Sequence, residues 1–305
     1  MRDHDDVLSR RHLLKGAAAG GALAAIGLRR LEAAEAEAKT RVIETMPAGY
    51  VSHGSPMTAL SGTRNREWQG WADSLPRPVA VLVVSAHYQR SPVTIGATRR
   101  LPLIYDFSGF PRQLYQLKYD PPPAPKLARR VEQVLAPVTK VRQDARRGHD
   151  HGAWVPLRGM YPKADVPILS VSLPGHDPKT LFKMGQALQP LRDEGVFVLS
   201  SGAMTHNLRY RPQRGQTKTP AWASEFDAWS QETLMTRNVD ALLDWQRKAP
   251  AARTNHPTVE HFVPLLITAG AQRDDDVTRF PVTGFDGVAF SNRCVSFDPM
   301  KKKTG

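Results

Sequence analysis

The chain has 305 residues, of which 41% are hydrophobic, 8% aromatic and 23% charged; this is enough apolar and aromatic content to bury a core, and excludes a disordered chain. Its 25 prolines and 22 glycines follow no repeating period, which excludes collagen-like and solenoid architectures. The 42 Lys and Arg outnumber the 29 Asp and Glu to give a net charge of +13, while the single cysteine, Cys294, excludes an intrachain disulfide and a cysteine-based zinc site.

Residues 1–38 read as an address rather than as part of the fold. Ser9-Arg10-Arg11-His12-Leu13-Leu14-Lys15 precedes an Ala- and Gly-rich apolar stretch, Gly16 to Leu28, shorter than the about 20 residues of a membrane span. Ala34-Glu35-Ala36 and Ala36-Glu37-Ala38 each offer an A-x-A cleavage pattern. The segment resembles a twin-arginine export signal, with Leu13 where Phe is common. That resemblance implies a periplasmic protein, carried already folded by the twin-arginine machinery; an uncleaved leader serving as a membrane anchor is the alternative. Arg2, Arg10, Arg11, Lys15, Arg29 and Arg30 are cancelled by Asp3, Asp5, Asp6, Glu32, Glu35 and Glu37, so the +13 belongs to residues 39–305. No zinc finger, aromatic RNA-binding signature or basic heptad helix accompanies this charge, so nucleic acid is not an expected partner.

Residues 39–305 read as one domain, since no convincing linker divides them. Ala48 to Ser52 is a candidate first strand. Ala80 to Ser85, Ile168 to Leu173 and Val196 to Ser200 are short runs rich in Val, Ile or Leu with Pro or Gly nearby, the pattern of buried strands. Lys126 to Leu135 reads as a helix after a Pro-rich turn. Thr180 to Leu191 reads as another, started by Asp177-Pro178 and limited by Pro190. Trp222 to Trp245 carries one or two more. Thr258 to Ala269 places Val259, Phe262, Val263, Leu266 and Ile267 on one side and ends at Gly270. Strands alternating with helices predict an α/β three-layer sandwich, with a mostly parallel or mixed central sheet and helices on both faces.

Histidines fall at telling places. His53, His87 and His206 each lie a few residues past the carboxyl end of an apolar run, where open parallel sheets form their ligand crevice. His151 lies in a turn-like stretch and His261 one turn into the last helix, whereas His149, His176 and His256 read as loop or surface residues. A lone histidine near a strand end is more often a hydrogen-bonded structural residue, but several together point to a metal, for which imidazole is the commonest ligand. No H-E-x-x-H, G-x-S-x-G, P-loop or strand-borne G-x-G-x-x-G is present.

Six segments then appear in order: His53-Gly54-Ser55-Pro56-Met57, Ser85-Ala86-His87, Tyr105 to Pro111, Asp150-His151-Gly152-Ala153-Trp154, Ser201 to Leu208, and Pro257 to Leu265. With these the chain resembles the DODA-type (4,5-DOPA dioxygenase-like) branch of the class III extradiol ring-cleavage dioxygenases. The resemblance implies a single α/β domain that inserts O2 into a catechol-type ring at a non-haem metal, Fe(II) for activity, with Zn(II) as an ion the isolated protein can carry. It places metal ligands at His53, His87 and His261. His206 matches a position that serves as acid/base or as a fourth ligand, and His151 one that faces the substrate hydroxyls. Glu260 competes with His261, because the wider class uses two histidines and a carboxylate. Tyr105 and Phe110 are expected in an aromatic wall against the substrate, with Tyr88 a further candidate. Two other readings compete: a zinc-dependent hydrolase using the same histidines, and a basic periplasmic binding module.

Overall fold

The computed structural model describes residues 43–300; the export leader and the terminal lysines lie outside the described residues. Alternation of apolar side chains builds the centre of the fold. In strand β2 (Ala80–Gln89), Ala80, Leu82 and Val84 enter one core while Val81 and Val83 enter another. Strand β6 (Val196–Gly202) repeats this, with Val196 and Val198 on one side and Phe197 and Leu199 on the other. A strand that is apolar on both faces must be covered on both faces, which forces a three-layer arrangement.

Eight strands form the sheet. With β1 (Ala48–Ser52), β3 (Val93–Ile95), β4 (Val141–Gln143), β5 (Ile168–Leu173), β7 (Asp276–Arg279) and β10 (Val295–Pro299), the order is β4-β3-β5-β2-β6-β1-β10-β7. The central strands β5, β2, β6 and β1 are parallel; β3 joins β5, β10 joins β1 and β7 joins β10 antiparallel, and β4 joins β3 parallel. β8 (Phe285–Asp286) and β9 (Phe290–Ser291) pair separately. On one face lie α1 (Gly62–Asp73) and α3 (His151–Met160), which contribute Trp68, Trp71, Trp154 and Leu157. The other carries α2 (Pro125–Leu135), α4 (Pro178–Asp193), α5 (Ala221–Met235) and α9 (Pro264–Gly270). Short helices α6 (Val239–Leu243), α7 (Trp245–Lys248) and α8 (Ala252–Asn255) stand between α5 and α9. Among the described residues no helix is long and apolar enough to cross a membrane.

The α/β sandwich expected from the sequence is the observed one, with local corrections. β2 does not stop at Ser85 but runs to Gln89, its pairing with β5 slipping between Ser85 and Gln89. His87 therefore sits inside an irregular strand end rather than beyond it; such a bulge bends the strand and re-aims its side chains. The last helix begins at Pro264, not Thr258, because proline has no N–H to give and suits only a first helical turn. α4 continues through Pro190 to Asp193, since Leu181, Met184, Leu188 and Leu191 are buried on the sheet and that packing outweighs the lost hydrogen bond. His151 opens a helix rather than a turn, with Asp150 as its N-cap accepting from the Ala153 amide at 3.2 Å.

One charge pair ties the layers together. Arg192, fully buried, donates to the carbonyls of Met46, Ala271 and Phe297 and makes a two-pronged pair with buried Asp276 at 2.6 and 2.7 Å. Burial of the charges is tolerable because the guanidinium's donors all face acceptors.

Candidate active site

The parallel strands bring the histidines to one end of the sheet. β1 ends at Ser52, and the next residue, His53, donates its backbone N–H to Gly202 O at the end of β6 (2.9 Å). β2 carries His87 alongside. His261 arrives from the segment before α9, its carbonyl held by Tyr50 Oη at 2.9 Å and by the Ala203 amide at 3.0 Å. Two glycines allow this closeness. A Cβ on Gly202 would lie 2.0 Å from His261 O, and one on Gly152 would lie 2.9 Å from His87 Cδ2 and 2.5 Å from Ser85 Oγ.

Three imidazole nitrogens converge. His87 Nε2 lies 3.3 Å from His53 Nε2 and 3.2 Å from His261 Nε2, and the ligand atoms of all three rings lie within 4.8 Å of one another. Each ring is held from behind through Nδ1. His53 Nδ1 is 2.9 Å from Ser201 Oγ, whose own hydroxyl donates to Gly152 O; Ser201 therefore accepts from His53. His261 Nδ1 donates to Glu260 Oε1 at 2.9 Å, and His87 Nδ1 lies 3.3 Å from Asp106 Oδ2. With the proton on Nδ1 in each case, three unprotonated Nε2 atoms face inward.

This donor set fits a divalent metal. Two nitrogens at about 2.0–2.1 Å from one ion, subtending 90–110°, are roughly 2.8–3.4 Å apart. The two close Nε2 separations lie inside that interval. Hydrogen-bonded outer nitrogens are what metal-holding histidines usually show. Electrostatics agree. Burial and the neighbouring imidazoles hold His53 well below the ordinary histidine range. Burial likewise takes His261 down to about 3, against the opposing hydrogen bond to Glu260. Burial by itself would raise Glu260, but hydrogen bonds from His261 and Thr258 and its own backbone bring it to about 2, so it stays ionised behind His261.

The remaining expected residues surround this centre. His206 stacks on His261 with ring centroids 3.6 Å apart and planes 12° from parallel; burial lowers it to about 4. His151, 6% exposed, is 4.0 Å from the His87 ring and 5.4 Å from His53, centroid to centroid. Tyr105 and Phe110 join Phe107, Tyr115 and Trp154 in an aromatic cluster, and Phe107 meets the His151 ring edge-on at 5.6 Å. Tyr105 Oη donates to Leu117 O at 2.5 Å, so its hydroxyl is engaged within the wall. Tyr88 is 2% exposed and lies beneath the Arg147 guanidinium, 4.5 Å from its centroid, rather than against an imidazole.

Sequence reasoning missed three participants: Asp106, Ser201 and Phe107. Asp106 and Phe107 sit in the aromatic segment already singled out, and Ser201 opens another singled-out segment; nothing in local pattern shows which rings they touch. Two of the histidines read as loop or surface residues lie in loops but are not on the surface. His149 Nδ1 is 2.7 Å from Ser170 Oγ and burial takes it to about 4. His256 is 3% exposed, donates Nε2–H to Met204 O, and is boxed by Phe226, Trp245 and Phe262. Burial lowers it to about 3 despite that bond.

His256 carries a pH prediction. Its folded value is depressed from an ordinary 6.5, so its contribution is present above pH 6.5 and is lost as pH falls toward 3. Each unit through that window favours the unfolded state by up to about 1.4 kcal/mol. Thermal unfolding of metal-stripped protein from pH 7.5 to 4.5 is expected to show a falling Tm, and His256→Phe is expected to flatten that slope even where it lowers Tm overall. An unchanged slope in the variant counts against this assignment.

The family model described as catalytic LigB subunit of aromatic ring-opening dioxygenase matches residues 47–292. The chain belongs to that family. Three relatives are each called 4,5-DOPA dioxygenase extradiol. The one from Beta vulgaris is 37% identical over 249 residues, 79% of this chain and 92% of the relative. That from Escherichia coli K12 is 36% identical over 254 residues, 79% of this chain and 90% of the relative. That from Mirabilis jalapa is 32% identical, covering 84% and 98%. A crystal structure of an uncharacterized Escherichia coli K12 protein superposes with a TM-score of 0.72 at 32% identity, covering 83% of this chain and 99% of that one. Residues 7–27 match the twin-arginine translocation signal. The chain is thus a DODA-type extradiol ring-opening dioxygenase, an oxidoreductase with a twin-arginine signal. Neither the hydrolase nor the binding-module reading finds support among these relatives.

Proposed function

We propose that the protein is a periplasmic, non-haem Fe(II) enzyme that opens the ring of a catechol, with His53, His87 and His261 holding the metal. The convergence of their three Nε2 atoms carries this reading. Glu260 serves as the partner of His261 rather than as a ligand, its Oε1 accepting from His261 Nδ1 and Thr258 Oγ1 behind the ring. Residues 1–38 act as the export leader and residues 39–305 as one catalytic domain, with Zn(II) able to occupy the same imidazoles.

When bound, Fe(II) supplies open positions where diol and O2 meet and the redox capacity that ring opening by O2 requires. The chain supplies proton handling and orientation. His206, neutral at pH 7 by virtue of its lowered value, takes a hydroxyl proton from the substrate and returns one as the ring opens. His151 accepts from a substrate hydroxyl at Nε2, since its Nδ1–H is committed to Asp106 at 2.9 Å. Phe107, Phe110 and Tyr105 form an apolar wall on which an aromatic ring can pack and from which water is excluded. Tyr88, under Arg147, supports the strand that carries His87.

The test is anaerobic loading of stripped protein with Fe(II) or Zn(II), followed by DOPA, caffeate, protocatechuate and catechol in aerated buffer. O2 uptake with a yellow ring-opened product is expected for Fe(II) and for at least one diol. Absence of uptake across the panel, with the protein folded and loaded, overturns the proposal; oxygen-independent turnover with Zn(II) would revive the hydrolase.

A further inference from the structure

We propose that Asp106 is a positioning residue that locks two imidazoles of different duty, His87 at the metal and His151 at the substrate, with one carboxylate. The proposal rests on the assignment of His87 and His151 under Proposed function and extends it to a residue with no role there of its own.

The observations are geometric. Asp106 Oδ1 accepts from both the Nδ1 and the backbone N–H of His151, each at 2.9 Å, and Oδ2 faces His87 Nδ1 at 3.3 Å. The His151 amide is the first of α3 and has no partner within the helix, so the carboxylate is also held at the positive end of a ten-residue helix. An ionised carboxylate only accepts. Both rings thereby carry their proton on Nδ1 and leave Nε2 as a lone pair, that of His87 facing His53 and His261.

The linkage is what separates Asp106 from an ordinary partner of a metal ligand. Ser201 and Glu260 each steady one imidazole of the trio. Asp106 steadies a ligand and a substrate-facing ring whose centroids are only 4.0 Å apart, so any rotation of one is transmitted to the other. It also belongs to the segment that supplies Tyr105, Phe107 and Phe110. The carboxylate thus joins the aromatic wall to the two rings.

The test uses Asp106→Asn, which keeps the size but retains a single accepting oxygen. That oxygen can serve His151 or His87, not both. Zn(II) affinity by chelator competition is expected to fall about 10–100-fold, the usual cost of losing a ligand's outer partner. In the Fe(II) enzyme kcat is expected to fall at least as far, with KM for the diol changed less, while Tm of the stripped protein stays near that of wild type. Asp106→Glu should recover part of both. Phe107→Ala, on the same segment, should raise KM while leaving Zn(II) affinity unchanged, which separates the carboxylate from the packing around it. Should Asp106→Asn keep Zn(II) affinity and kcat within about twofold of wild type, or should its losses simply follow a fall in Tm shared by Asp106→Glu, the proposal is overturned. A wild type that binds Zn(II) but opens no ring refutes the dioxygenase reading alone, because the affinity arm still decides whether Asp106 orients His87.

Discussion

Each of His53→Ala, His87→Ala and His261→Ala is expected to abolish stoichiometric binding of Fe(II) or Zn(II) and to cut ring-opening kcat/KM by at least about 10³-fold, or roughly 4 kcal/mol of transition-state stabilisation. The reason is the small number of donors. With three inward Nε2 atoms, loss of one leaves two neutral nitrogens to hold a strongly hydrated dication. Glu260 and Asp106 are already committed to Nδ1–H donors behind the rings. Metal content by elemental analysis and the rise in Tm on metal addition measure this directly, since a ligand that binds only the folded state raises its stability. Stripped variants should differ little from stripped wild type, because each ring removed faced the others with its lone pair. A variant that retains one tightly held ion and full activity would remove that histidine from the set.

The second large effect is expected at His206. His206→Ala should lower kcat by about 10²–10⁴-fold while the metal content stays at the wild-type level. The ring stacks on His261 and groups with Glu260 and His261 rather than with His53 and His87, a placement that fits a proton carrier beside the trio. Burial keeps it neutral down to about pH 4. The base-competent form is therefore present above that value, and the acid limb it contributes to kcat/KM of the free enzyme should lie below the 6.5 of an unperturbed histidine. If His206→Ala instead loses its metal along with its activity, His206 is a fourth ligand.

Much of the architecture was legible from local pattern. The runs Ala80 to Ser85 and Val196 to Ser200 are apolar at all but the last position and Ile168 to Leu173 at four of six, the pattern of strands covered on both faces. The helices Lys126 to Leu135 and Thr180 to Leu191 carried apolar stripes and Pro-marked starts. The placement of His53 and His206 just past strands followed from the same runs. Errors arose where tertiary contact overruled a local rule: Pro190 continued a helix that packing supports, and Pro264 began one whose apolar periodicity had appeared to start at Thr258. The irregular end of β2 was invisible because a register slip against β5 is a property of two strands, not of one.

The chain's own order of residues was sufficient for an α/β sandwich, for a cluster of imidazoles at the carboxyl ends of parallel strands and for the family, because hydrophobic period and short motifs are local and survive in one dimension. The partners of those imidazoles were decided only in three dimensions. Ser201 is 148 residues from His53, and Asp106 is 45 from His151, so no spacing rule links them. Whether a histidine becomes a metal ligand, a base or a core residue such as His256 depends on which nitrogen is hydrogen-bonded and how far the ring is desolvated. Both are set by groups that meet only when the layers close.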